Sequence, residues 1–142
     1  MVAASGSGLA TPLETFRLSL HVLGATVWVG GQIVLLGLLP TVRQLAADGP
    51  TRVANAFARL AWPAYALLVI TGFWNIAADD LSEQSTAWKA VLWTKVAIVA
   101  LAGIATALHS RATSRGAIAA WGAIAGLSSV VALCMGVLLA GP

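Results

Sequence analysis

Four long apolar runs constrain this chain more than any other feature. The first, LSLHVLGATVWVGGQIVLLGLLP over residues 18–40, holds no lysine, arginine, aspartate or glutamate. Three further runs follow, and each reaches the roughly 20 residues a helix needs to cross the hydrocarbon of a bilayer. The spacing predicts membrane helices over about 16–40, 53–78, 87–110 and 116–140, with 1–15 as an extracytoplasmic tail. The whole 142-residue chain then forms one transmembrane domain. With 59% hydrophobic and 9% charged residues, it lacks the polar side chains to cover a water-facing surface. The links AADGP (46–50), ADDLSEQS (78–85) and SRATSRG (110–116) are short. Short links make successive helices antiparallel neighbours, so the expected fold is all-α, an up-down four-helix transmembrane bundle in the lipid bilayer.

The net charge of +3 does not signal a nucleic-acid partner, because the basic residues are spread along the chain and form no patch. They read better as topology. Arg43, Arg52, Arg59, Arg111 and Arg115 fall on the side of the first and third connectors, against Arg17, Lys89 and Lys95 on the other. Five against three places both termini outside, in a multi-pass protein of the inner (plasma) membrane. The N-terminal MVAASGSGLATPLE has neither a basic start nor an apolar core, so the first span is expected to remain as an anchor. The single cysteine, Cys134, excludes an intramolecular disulfide framework. GAIAG (122–126) matches GxxxG; packing within the bundle explains it more simply than a homo-oligomer, although association in a larger complex stays open.

Ionisable residues at membrane depth raise a functional hypothesis. His21 stands one to two turns inside the first helix, and Lys95 lies at similar depth on the parallel third helix. His109 is 14 residues beyond Lys95 (95 to 109), on the order of 20 Å along the axis, so the two histidines cannot share a metal. That leaves a His21/Lys95 pair able to approach one haem iron, by imidazole and by a neutral amine. Each also has a structural explanation: snorkelling of Lys95 to the headgroups, and a hydrogen bond from His21 to a backbone carbonyl or to Asn75. His21, Gly24, Ala25, Trp28, Gly31, Gln32 and Leu35 share one face of a regular helix, a stripe with a ligand, small residues and a flat aromatic. Thr71, Gly72, Trp74 and Asn75 return to the level of His21 on the second helix, which Pro63 is expected to bend. Copper offers another use of that level: Cu(I) accepts imidazole, thioether and thiolate ligands, which His21, Met135 and Cys134 could supply.

These residues resemble the four-helix membrane unit of the copper-resistance protein D (CopD) family and the HemJ-type protoporphyrinogen oxidases. The likeness rests on LHVLGATVWVGG (20–31), LP (39–40) followed by Arg43, RLAWPAYALLVITG (59–72) and WTKVAIVALAGIATALH (93–109), covering roughly residues 16–112. In HemJ-type enzymes a helix-one histidine and a helix-three lysine are implicated in binding haem b, which implies those roles for His21 and Lys95. Trp28 and Asn75 complete the expected cofactor site. WVGG is closer to CopD, and Val91 replaces a tryptophan that precedes the HemJ lysine. The resemblance implies a haem-binding membrane oxidoreductase acting on a tetrapyrrole or quinone. Copper transport or resistance, and a cofactor-free subunit of a membrane complex, are the alternatives.

Overall fold

The computed structural model describes residues 10–141. It contains four helices: α1 (Pro12–Leu45), α2 (Gly49–Ala78), α3 (Thr86–Arg111) and α4 (Arg115–Leu139). All four are long and apolar enough to cross a membrane, and no strand occurs among the described residues. The chain is therefore an all-α, multi-pass membrane bundle. Its exterior agrees: Leu36 is 69% exposed and Val137 70%. Apolar side chains so open on every helix suit a surface covered by lipid tails.

Local chemistry sets the helix starts. Thr11 caps α1 by accepting from the Glu14 backbone N–H at 3.3 Å, while the Glu14 carboxylate accepts from the Thr11 N–H at 3.2 Å. Pro12, which has no N–H to satisfy, occupies the first turn. This capping box starts α1 at Pro12, four residues before the expected 16, so Pro12–Thr15 are helical and not tail; residues 1–9 of that tail lie outside the described residues. Ser85 and Ser114 cap α3 and α4 by accepting from Trp88 N–H (3.1 Å) and Ala117 N–H (3.2 Å). Pro40 does not end α1. The helix continues to Leu45, and Pro40 sits exposed inside it, as Pro63 does inside α2.

The second departure is a π-helical turn over Thr26–Gly30 within α1. Trp28 and Val29 within this turn are both buried.

The helices form two hairpins, α1 on α2 and α3 on α4, joined through the π turn against α4. Glycines allow the close approaches. A Cβ on Gly24 would lie 3.0 Å from Leu68 Cγ and 3.1 Å from the Ala64 carbonyl, and one on Gly31 would meet the Phe57 ring. Gly122 packs on the His109 ring and Gly126 faces Gln32, so the GxxxG pair is used inside the chain.

Candidate functional site

The bundle has an upper end, where α1 and α3 begin and α2 and α4 finish. His21 and Lys95 each stand nine residues past the first residue of their helix (12 to 21, 86 to 95), about 14 Å in. Lys95 Nζ lies where a Cβ on Gly136 of α4 would be only 3.0 Å away. The structure thus brings the two expected ligand residues to one level.

His21 is held by α2. Its Nδ1 is 2.8 Å from Thr71 Oγ1, and that hydroxyl is 2.7 Å from the Leu67 carbonyl. A hydroxyl has one proton; given to Leu67, it leaves the oxygen to accept from Nδ1–H. The side-chain partner is Thr71, 1% exposed, where the sequence suggests a backbone carbonyl or Asn75. In that tautomer the lone pair is on Nε2. Metal-binding histidines share this arrangement, donating one ring N–H to the protein while the other nitrogen faces the metal. Gly72 keeps the space beside the ring, since a Cβ there would lie 3.6 Å from His21 Cε1.

One turn nearer the upper face are two groups whose pattern is unlike the rest of the bundle. Among the described residues, the buried side-chain polar atoms without a hydrogen-bond partner are Arg17 Nε and Asn75 Oδ1. Arg17 precedes His21 by four residues on α1, and Asn75 follows Thr71 by four on α2, so each stacks one turn above a member of the His21–Thr71 pair. Arg17 is only 8% exposed. The five acidic residues, Glu14, Asp48, Asp79, Asp80 and Glu83, are all exposed, so none is buried beside it. In the sequence Arg17 reads as a topology marker. Its spacing from His21 was the available signal.

The remaining expected site residues lie elsewhere. Trp28 is seven residues below His21, about 10 Å, and is 3% exposed. Its ring packs on Tyr65 and Trp62, with centroids 4.7 and 6.0 Å away, and its indole N–H donates to Ser129 Oγ at 3.0 Å. Gln32 donates to the Trp28 carbonyl at 3.0 Å, and the Tyr65 hydroxyl donates to the Val99 carbonyl at 2.9 Å, passing Gly103, where a Cβ would collide with it. Trp28 is therefore at the centre of the core cluster. Met135 is half-buried beside Gly136, whereas Cys134 is exposed. His109, near the lower end, pairs through Nδ1 with the Ile118 carbonyl at 2.8 Å.

Side-chain hydrogen bonds between the two hairpins run at the middle level, from Trp28, Gln32 and Tyr65; among the described residues none crosses at the level of His21. Comparison of the chain with protein-family models, with curated proteins and with solved structures finds no match to any of them.

Proposed function

We propose that this chain is an inner-membrane haem b protein with a redox role, either electron transfer or porphyrinogen oxidation, in which His21 supplies an axial ligand through Nε2. The observation that carries the reading is the His21–Thr71–Leu67 contact chain (2.8 and 2.7 Å), which supports a tautomer donating from Nδ1 with Nε2 open to a metal. Lys95, level with it on α3, is the second ligand or the partner of a haem carboxylate. Orphaned polar atoms in the same part of the bundle suit a cofactor with both a metal and anionic groups. When bound, haem supplies a one-electron redox centre. The residues of the chain hold the imidazole orientation, place positive charge beside it and keep the middle of the bundle sealed. Burial of Arg17 leaves fewer flanking charges at the upper end, which supports an upper face on the extracytoplasmic side.

The test is a titration of the detergent-solubilised apo-protein with ferric haem. A Soret shift saturating at one haem per chain is expected, and Lys95→Met should alter the bound spectrum. A colourless protein from haem-replete cells that also takes up no haem in the titration overturns the proposal.

A further inference from the structure

The strongest unexplained feature of the bundle is Arg17. A guanidinium is charged at any physiological pH, and burying it without an acceptor is costly. An arginine serving as an interfacial anchor would extend to the headgroups, yet this one is 8% exposed and its Nε has no partner among the described residues. Among the described residues no buried aspartate or glutamate is present to neutralise it. Asn75 Oδ1, orphaned in the same part of the bundle, becomes a donor site when the amide is turned over, since the oxygen and NH2 positions exchange. Two donors, one of them a planar cation, match a carboxylate. Arg17 is one turn above His21 on the same helix.

We infer that Arg17, assisted by the Asn75 amide, binds a carboxylate of the ligand whose metal centre is held at His21. This rests on the haem reading above and adds to it a specific recognition of the tetrapyrrole's acidic edge. The site would select tetrapyrroles with free carboxylates over their esters, and would orient the macrocycle with its acidic edge toward the upper face. A lipid phosphate is the competing partner, and it would make Arg17 indifferent to the ligand's carboxylates.

The experiment compares ferric protoporphyrin IX with its dimethyl ester, binding each to the full-length apo-protein in detergent and following the Soret band. Loss of one charge-assisted hydrogen bond corresponds to about ten- to a hundredfold in affinity. The wild type should prefer the free acid by that factor, and Arg17→Gln should bind acid and ester alike. If the preference persists in Arg17→Gln, or if the wild type shows none, the inference is overturned while the haem reading stands. If the wild type binds neither porphyrin, both fall. Should Arg17→Gln fail to fold, Arg17→Lys keeps the charge but not the planar fork. A reduced preference in that variant supports the inference, and an unchanged preference overturns it.

Discussion

The middle and upper levels of the bundle use similar residues to different ends. At the middle, Trp28, Gln32, Tyr65 and Ser129 are polar or part-polar groups whose hydrogen bonds close on one another or on backbone carbonyls. At the upper end, Thr71 closes its bonds, but Arg17 Nε and Asn75 Oδ1 are buried without a hydrogen-bond partner among the described residues. In a bilayer, where water does not compensate, satisfied polar groups join helices and unsatisfied ones mark a place for something else. Polar content alone does not tell core from site; what does is whether the hydrogen bonds are complete.

The largest effect expected on this contrast comes from Trp28→Ala, which empties the centre of the aromatic cluster and strands Ser129. It should cost about 3 kcal/mol, read by denaturant unfolding in mixed micelles. A loss below about 1 kcal/mol would show that the middle level is not the core. Thr71→Val should cost about 1 kcal/mol in the apo-protein and lower haem affinity about tenfold, because Nδ1 loses the acceptor that fixes the tautomer. Equal haem affinity in that variant would separate His21 from Thr71. Lys95→Met removes an amine that has no hydrogen-bond partner, so apo-protein stability should change by less than about 0.5 kcal/mol, while the haem spectrum changes. A large loss of apo-stability would make Lys95 structural.

The smallest effect lies in the α2–α3 connector. The Ser82 hydroxyl and backbone N–H donate to Asp80 Oδ1 at 2.6 and 2.9 Å and hold its carboxyl below the usual range. A lowered carboxyl contributes stability above its ordinary titration range and loses it as pH falls through the folded value. In Ser82→Ala the Asp80 titration followed by NMR should move upward; an unmoved midpoint would remove the Ser82 contribution. Neither middle nor upper level should respond to this change.

Much of this arrangement was legible in the sequence. The four spans follow from apolar length, and the equal depth of His21 and Lys95 follows from counting rise along helices that begin at one end. The glycines at 24 and 31 were readable as packing positions, and the structure uses them so. The start of α1 was also written in the chain, as Thr11-Pro12-Leu13-Glu14, a capping box masked by attention to apolar length. Less accessible was the π turn at Thr26–Gly30, because an i to i+5 turn has no residue pattern of its own; Trp28 within it belongs to the core cluster. The burial of Arg17 was hidden for another reason. A charge near a helix end reads as a flanking anchor until tertiary packing shows which way it faces.

The contrast between levels is tested most directly by its two histidines. His21 pairs with Thr71 one turn from the orphaned Arg17 and Asn75 atoms, and His109 pairs with the Ile118 carbonyl and packs on Gly122. Oxidised and reduced absorption spectra of His21→Ala and His109→Ala, purified in mild detergent from haem-replete cells, should differ completely. The account predicts a Soret band lost in His21→Ala and retained in His109→Ala. A band retained in His21→Ala, or absent from the wild type, would contradict it.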